Sequence, residues 1–401
     1  MKVESFCVMV AGRYISVCLV FGAVCLLTGC ASRGAGPQGG PVDSIPPRVL
    51  SSVPADGATH VQSQEIQIRF DEYVKLDRAT EQVLISPPGQ TQPIIKAVGK
   101  KVSVTLNDSL LPNTTYTIHF GQAIQDNNEK NALQDYTLSF STGDQIDSLS
   151  LSGDVIFAKT QKPAGGTIVG IHPAEAEDSI VYKKPFLRIA RTDTTGHFVI
   201  RHIAAGTYRL YALSDSNRTY TYEPNEPIAF EERPITVPDS GVTLRLFNCI
   251  LPRDTMKKAL PQDSLVTDSL QRDSLMTDSL RRDSVKVVAA KKDSSATASL
   301  HVIVVPAMPN LFAELLTGKD ELTATKPIGE GGDVLFDKLK AGTYMLRVYQ
   351  DLNGDSIWTT GDYIQKRQPE PMYYFPKQLK IRDNWDFEET FRWQDENSRP
   401  K

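Results

Sequence analysis

Residues 198–210, FVIRHIAAGTYRL, and residues 334–346, VLFDKLKAGTYML, are two copies of one phrase that lie 136 positions apart. They align without gaps, and Ala205–Tyr208 is identical to Ala341–Tyr344. In each copy an alternating apolar run is followed by Ala-Gly and then by a Tyr-x-Leu run. Alternation of period two is typical of half-buried strands, and a glycine between two strands can supply a bend. Each copy therefore predicts a β-hairpin turned by its glycine, within a domain that occurs twice.

Alternation of the same kind fills the chain before the first copy. Leu110–Tyr116 also fits a tyrosine corner, in which the tyrosine hydroxyl bonds to nearby backbone at a crossover between strands. With 401 residues, 40% of them hydrophobic, the chain is long enough for about three domains. Several short strands separated by Gly, Asn, Asp and Pro are typical of a β-sandwich. The clearest alternating runs are Glu65–Phe70, Lys101–Leu106, Thr115–Phe120 and Tyr136–Phe140.

These motifs carry two resemblances to known families. Residues 46–143 resemble a bacterial Ig-like domain of the SbsA type, through Val53–Gly57, Ile68–Val74, the tyrosine-corner segment and a closing Phe-Ser-Thr-Gly. Residues 149–251 and 299–391 resemble prealbumin-like domains of the carboxypeptidase-regulatory and Cna-B type. The second resemblance implies seven-stranded sandwiches that serve as spacers and stalks. The predicted fold class is therefore all-β, with tandem β-sandwich domains, one Ig-like and two prealbumin-like.

The N-terminal segment predicts export and lipid anchoring. Basic residues precede an apolar run, Tyr14–Leu27, which is shorter than the roughly 20 residues of a membrane-spanning helix. The run leads into Leu-Thr-Gly-Cys30, which resembles the bacterial lipobox, so residues 1–29 are expected to be a cleaved lipoprotein signal peptide. Cys30 is then the lipidated residue, at the start of a flexible Gly/Pro-rich tether over residues 30–45. An ordinary signal peptide with a chance cysteine, or a membrane anchor, is the alternative.

The lipobox, the Ig-like domain and the two prealbumin-like domains, taken in this order, resemble a lipoprotein family of Gram-negative bacteria. The residues that follow Cys30, Ala-Ser-Arg, are not the acidic run that directs related lipoproteins to the cell surface. They also do not include the Asp that retains other lipoproteins at the inner membrane. The resemblance therefore implies lipid anchoring to the cell outer membrane, facing the periplasm. After signal cleavage Cys249 is the one thiol left beside Cys30, so no internal disulfide is expected.

Residues 252–298 differ in composition from the domains around them. Asp-Ser-Leu recurs every five residues, and steps of five place successive leucines about 140° apart around a helix, so no apolar stripe forms. We therefore predict a disordered low-complexity spacer of roughly 35–40 Å, with a helix as the alternative. Residues 392–401 are expected to be a tail. Asp-Ser-apolar is similar to the acceptor of a periplasmic O-glycosylation system, although low-complexity drift explains the same pattern. The implied sugar sites are Ser264, Ser269, Ser274 and Ser279.

One loop of the last domain has side-chain oxygens at a spacing that suits calcium. A glycine at loop position 4 instead of 6, an aspartate at position 12 and the lack of flanking helices depart from the EF-hand pattern. An Asn-Gly turn with solvated aspartates is the alternative. The equivalent loop, which begins at Asp215 and carries Arg218, is expected to bind calcium weakly or not at all. The candidate ligands are Asp351, Asn353, Asp355, the carbonyl of Ile357, Thr359 and Asp362.

The rest of the sequence gives little indication of chemistry. Nucleophile-elbow, zinc-protease and phosphate-loop motifs are absent from it, and its histidines have no Cys or His neighbours at ligand spacing. We therefore expect no enzymatic activity, and no cofactor other than a structural Ca²⁺. A formal net charge of −4 argues against a nucleic-acid partner. Aromatic residues of the last domain could stack on sugar rings, although core and edge packing is the favoured explanation. They are Trp358, Tyr363, Tyr373, Tyr374, Phe375, Trp385 and Trp393.

The sequence thus predicts a lipid-anchored cell-envelope protein that acts as a structural or protein-interaction module without catalysis. Its expected partners are the membrane, through the lipid, and an envelope protein or glycan. The alternative is a glycan-binding envelope lipoprotein that recognises peptidoglycan or polysaccharide. A hydrolase with an unrecognised pair of carboxylates is the third hypothesis.

Overall fold

A computed structural model describes residues 43–249 and 297–393 of the chain. Within those two ranges the chain forms twenty-five strands and two four-residue helices, so the all-β prediction is confirmed. The strands build three successive β-sandwich domains, each with its own buried apolar core. In the described part of the chain, no helix has the length and apolar character needed to cross a membrane.

The first domain contains nine strands and one helix. They are β1 (Val49–Val53), β2 (Glu65–Phe70), β3 (Val74–Leu76), α1 (Ala79–Gln82), β4 (Leu84–Ser86), β5 (Ile94–Val98), β6 (Lys101–Thr105), β7 (Thr115–His119), β8 (Ile124–Asp126) and β9 (Thr137–Ser141). A four-stranded sheet in the order β1-β2-β6-β5 faces a three-stranded sheet, β4-β7-β9. Ile66, Ile68 and Phe70 alternate along β2 and are fully buried, in one core with Ile118 and Phe140 of the facing sheet. The alternation seen in the sequence therefore places strands correctly.

The second domain contains eight strands and a helix. They are β10 (Leu149–Phe157), β11 (Ile168–Pro173), α2 (Ile180–Lys183), β12 (Arg188–Arg191), β13 (His197–Ile203), β14 (Gly206–Leu213), β15 (Ile228–Phe230), β16 (Ile235–Val237) and β17 (Asp239–Leu246). One sheet has the order β13-β10-β17, and the other has the order β12-β11-β14-β15 with β16 also paired to β14. The first and last strands, β10 and β17, run parallel to each other.

The third domain repeats this arrangement strand for strand. Its strands are β18 (Ala298–Val305), β19 (Leu311–Thr317), β20 (Leu322–Pro327), β21 (Asp333–Leu339), β22 (Gly342–Gln350), β23 (Met372–Tyr374), β24 (Leu379–Ile381) and β25 (Asp386–Arg392). The sheets are β21-β18-β25 and β20-β19-β22-β23, with β24 also paired to β22. Trp393 is buried in this core, so the packed domain extends two residues past 391. The internal repeat in the sequence is therefore a repeat of whole domains.

Each later domain has eight strands, one more than the seven that the prealbumin resemblance implies, because two short strands share one partner strand. Both β15 and β16 pair with β14, the first along Tyr211–Leu213 and the second along Gly206–Tyr208. Pro234 lies between them. In the third domain β23 and β24 pair in the same way with two separate parts of β22.

The predicted hairpin at the Ala-Gly-Thr-Tyr phrase is wrong. β13 pairs with β10 in one sheet, whereas β14 pairs with β11 in the other, so the chain crosses the sandwich between them. The positive φ angles lie at His202 (58°) and Lys338 (55°), not at Gly206 or Gly342. A local strand-turn-strand pattern is the same for a hairpin and for a crossover. A hairpin and a crossover differ in whether the two strands pair with each other or with other strands that lie far away in the sequence.

A tyrosine hydroxyl fixes each of the three crossovers. Tyr208 donates a hydrogen bond to the carbonyl of Ala204 (2.9 Å), and Tyr344 donates to that of Lys340 (3.0 Å). In the first domain the backbone N–H of Leu111 donates to the Tyr116 hydroxyl (2.8 Å), so the predicted tyrosine corner is confirmed.

We expect Tyr344→Phe to lower the free energy of unfolding of the third domain by about 1 kcal/mol, because the carbonyl of Lys340 loses its partner. All three tryptophans of the chain lie in this domain, so urea unfolding followed by tryptophan fluorescence measures the change. Tyr73→Phe in the first domain is the control, since that ring is 63% exposed. An unfolding curve for Tyr344→Phe that overlays the wild-type curve would contradict the role given to the hydroxyl.

Candidate functional site

The predicted calcium loop connects β22 to β23, and a buried carboxylate holds its first turn. Asp351 is 2% exposed. Its Oδ1 accepts a hydrogen bond from the backbone N–H of Gly354 (2.6 Å), and its Oδ2 accepts one from that of Ser356 (2.8 Å). Both carboxylate oxygens are thus engaged by the chain itself.

A second buried carboxylate, which the sequence analysis missed, closes the same loop from its far end. Glu370 is 5% exposed. Its Oε1 accepts from the N–H of Leu352 (2.8 Å), and its Oε2 accepts from that of Thr359 (2.7 Å). Its backbone carbonyl accepts from the indole Nε1 of Trp358 (2.9 Å). Glu370 lies eight residues beyond the last candidate ligand, so no ligand spacing points to it.

The structure brings together four of the six predicted ligands: Asn353, Asp355, Thr359 and the carbonyl of Ile357, which accepts from the Thr359 hydroxyl (3.3 Å). The Asn353 amide donates to Asp355 Oδ2 and to Thr359 Oγ1, both at 2.9 Å, and Thr359 also donates to Asp355 Oδ2 (3.1 Å). Asp355 Oδ1 accepts from the N–H of Ile357 (2.8 Å), and Asp362 accepts from that of Gln365 (3.1 Å) in a separate turn. Among the described residues, no group of three or more His, Cys, Asp or Glu side chains is placed to hold a metal ion. The calcium site stays a prediction.

The equivalent loop of the second domain, between β14 and β15, is held by the same hydrogen bonds. Asp215 Oδ1 accepts from the N–H of Arg218 (2.6 Å), and its Oδ2 accepts from that of Tyr220 (2.8 Å). Arg218 and Tyr220 have φ angles of 62° and 55°, and Gly354 and Ser356, at the matching positions, have 78° and 63°. The two aspartates thus fold both loops alike.

The loop of the third domain inserts into the second domain through Tyr363. This ring is 2% exposed and lies within 5.3–6.1 Å of four aromatic rings, centroid to centroid. Burial raises its pKa well above the ordinary value, so the hydroxyl stays protonated. The backbone N–H of Tyr363 donates to Cys249 Sγ at 3.5 Å. The four rings, all of the second domain, are Tyr182, Tyr211, Tyr222 and Phe230.

Polar contacts fix the loop around Tyr363. Thr360 donates to the carbonyl of Asn248 (3.1 Å), and Gln368 donates to the carbonyl of Phe230 (2.8 Å). Gly361 lies so close to the ring of Phe247 that a Cβ there would come within 2.6 Å of it. Any side chain at position 361 would therefore push the loop away from the second domain.

The loop of the second domain contacts the first domain in a corresponding way. The guanidinium of Arg218 donates to the carbonyl of Thr80, and the Gln92 amide donates to the carbonyl of Arg218 (3.5 Å). Beside it, the N–H of Ile189 in β12 donates to the hydroxyl of Ser86 in β4 (3.0 Å). In both repeats, then, the loop that begins with an aspartate reaches the preceding domain.

An ion pair between a buried arginine and a half-buried aspartate, together with a histidine, completes the first junction. Arg188, whose side chain is 7% exposed, lies 3.5 Å from the carboxylate of Asp147 in the connection between the domains. The Nδ1 of His202 bonds to the carbonyl of Asp147 (2.8 Å), and its Nε2 bonds to the hydroxyl of Ser139 (3.1 Å). Since a carbonyl only accepts, Nδ1 carries the proton. His202 is the left-handed residue of the crossover in β13, a feature that the alternating pattern does not reveal.

The aromatic residues considered for sugar stacking have different surroundings. Tyr363 and Trp393 are buried, and Trp358 is half-buried at the junction beside Lys159. Tyr374 donates to the carbonyl of Lys159 (3.3 Å) across the same junction. Trp385, by contrast, is 55% exposed.

Some predicted sites lie outside the described residues. They are the signal peptide, Cys30, the four serines of the spacer, and most of the tether, spacer and tail.

Comparison with known proteins identifies the first domain. Residues 43–142 match the family of bacterial Ig-like domains, which confirms the Ig-like resemblance predicted for residues 46–143. No curated protein matches the chain.

The solved structures give weak similarities. The Bacillus anthracis TIE protein is 11% identical over 89% of this chain, with a TM-score of 0.17, and the chain covers 59% of its length. A minor pilin of Streptococcus agalactiae is also 11% identical, over 61% of this chain and 95% of its own, with a TM-score of 0.17. At such TM-scores neither likeness bears on the function of the protein.

We expect Tyr363→Ala to weaken the junction between the second and third domains by about 3–5 kcal/mol, because a buried aromatic ring is lost from between them. Small-angle X-ray scattering should show a larger radius of gyration, and the summed emission of the three tryptophans should shift to the red as Trp358 becomes exposed. Ile364→Ala is the matched control, since the neighbouring Ile364 is 69% exposed. A Tyr363→Ala protein with wild-type scattering and emission would refute the anchoring role.

The calcium prediction requires the third domain to melt at a higher temperature in millimolar Ca²⁺ than in EDTA, because an ion that binds only the folded loop stabilises it. Tryptophan fluorescence reports this transition. Asp355→Asn, which removes charge from the exposed part of the loop, should abolish the difference. Equal melting temperatures in Ca²⁺ and EDTA would show that the two buried carboxylates hold the loop without a cation.

Proposed function

We propose that this protein is a lipid-anchored cell-envelope protein whose three sandwiches form a rigid, non-catalytic module that positions a partner. The acylated Cys30 holds it to the outer membrane on the periplasmic side, and the third domain presents the partner-binding surface. The partner is an envelope protein. The four serines of the Asp-Ser-Leu spacer carry sugars in this proposal.

The observation that carries the proposal is the insertion of Tyr363 into the second domain, together with the matching contacts of Arg218 on the first. Domains that only had to be connected would need no such loops. Domains that must keep a fixed orientation relative to one another need such loops, because each docked loop prevents bending between two domains. The bacterial Ig-like match over residues 43–142 supports the coarser statement that the protein is a structural module of the cell envelope.

A second candidate function, glycan binding, is favoured by one observation. Trp385 is 55% exposed, its ring lies 6.2 Å from that of Phe387, and the guanidinium of Arg382 lies 5.6 Å from its centroid. An exposed aromatic face beside hydrogen-bond donors is suited to stacking on a sugar ring. This function predicts solution affinity for peptidoglycan fragments that is lost in Trp385→Ala.

The anchor is tested by fractionation of cells that produce Cys30→Ser. We expect this variant in the soluble fraction and the wild-type protein in the membrane fraction, because the acyl chains supply the membrane affinity. Cys25→Ser, within the apolar run, is the matched control and should remain in the membrane fraction. Membrane retention of Cys30→Ser would contradict lipid anchoring.

The positional role is tested by crosslinking in cells and capture through a C-terminal tag. One dominant envelope protein, recovered with the wild-type chain and lost with both Cys30→Ser and Tyr363→Ala, is the expected result. Recovery that is the same with Tyr363→Ala would show that fixed domain geometry is not required. Captured sugar fragments in place of a protein would favour the glycan-binding function.

A further inference from the structure

A cleft lies between the first and second domains, next to α2. Its volume is about 470 Å³, within the range of about 300–1,000 Å³ that is usual for small-molecule sites. Ile85 and Leu110 of the first domain and Phe186 and Leu187 of the second line it, so its walls are mainly apolar. The residues 87–93 add polar groups to the lining. The cleft is thus built by two domains that the first junction holds in place.

His172 is a polar residue buried in the wall of this cleft. It is 2% exposed, and its Nε2 has no hydrogen-bond partner among the described residues. The imidazole packs on Phe186 and Tyr211, with ring centroids 5.1 and 6.2 Å away. Burial lowers the pKa of His172 to about 4, so the ring is neutral at pH 7. A neutral ring offers one donor and one acceptor, and a buried nitrogen without a partner destabilises the fold.

The third domain shows what the fold itself requires at this position. His172 is paired with Arg209 between β11 and β14, and Leu316 is paired with Met345 at the same register between β19 and β22. Leu316 is 3% exposed. A leucine therefore satisfies the packing of the sandwich at this position. The fold does not require the hydrogen-bonding nitrogens that the imidazole brings to the second domain.

We propose that the cleft binds a small molecule with an apolar body and one hydrogen-bond donor, and that the donor pairs with His172. The apolar walls take the body of the molecule, and the neutral imidazole accepts a hydrogen bond from its N–H or O–H group. This site does not require the lipid anchor, it shares the ring of Tyr211 with the junction at Tyr363, and it goes beyond the positional function.

The test compares indole, which has an N–H donor, with 1-methylindole, which lacks one. Both are titrated into the whole protein with labelled Ile, Leu and Val methyl groups, and methyl NMR follows Ile85 and Leu187 in the wall. Val302, in the core of the third domain, is the reference that should not move. We expect saturable shifts of the wall methyls, with indole bound at least five-fold more tightly than 1-methylindole.

His172→Leu places in the second domain the residue that the third domain has, and should bind the two compounds equally. Ile180→Trp, in another part of the lining, should block both compounds while His172 stays intact. Wall methyls that do not respond to either compound would overturn the site. Equal affinities in the wild-type protein, or an unchanged preference for indole in His172→Leu, would overturn the assignment of His172 as the acceptor.

Discussion

A carboxylate that accepts hydrogen bonds from two backbone amides is the interaction on which the arrangement of the domains depends. Asp215 and Asp351 each receive one amide at 2.6 Å and another at 2.8 Å. Hydrogen bonds to a charged acceptor are stronger than neutral ones, and three of the four donors here, Arg218, Tyr220 and Ser356, are non-glycine residues held at a positive φ that they rarely adopt in a free chain. With the first turn fixed, the remainder of each long loop has a defined direction. It leads back to the preceding domain.

Each junction includes a loop that is fixed by one of these aspartates, but the contacts of the two junctions differ in chemistry. At the first junction directional polar contacts, through the Arg188–Asp147 pair, the imidazole of His202 and the hydroxyl of Ser86, accompany the burial of Leu84 against the second domain. At the second junction the main contact is the ring of Tyr363 among four others. Polar contacts depend on direction and distance, so the first junction has one geometry. Aromatic burial contributes more free energy but is less directional, so the second junction gains its direction from the hydrogen bonds of Thr360 and Gln368.

Sequence patterns recover what is local in this fold. The alternation of apolar residues predicts β2 correctly. The tyrosine corners can also be predicted, because each hydroxyl bonds to backbone only four or five residues earlier. The crossover between β13 and β14 is not readable, since its partners β10 and β11 lie far away in sequence. The spacing of Asp351 to Asp362 shows where oxygen atoms occur and not which groups they face. Most of those oxygens face amides of their own loop. Tyr363 follows no pattern at all, because its partners belong to another domain.

The parallel pairing of β10 with β17, and of β18 with β25, has a mechanical consequence. When the first and last strands of a domain lie side by side and run in the same direction, the chain enters at one end of the domain and leaves at the other. Tension along the chain then loads the hydrogen bonds of that ladder together, in shear, because no single bond can open ahead of the rest. A domain of this kind lengthens little before it yields. Under a load applied at their two ends, the two later domains would transmit force as stiff links.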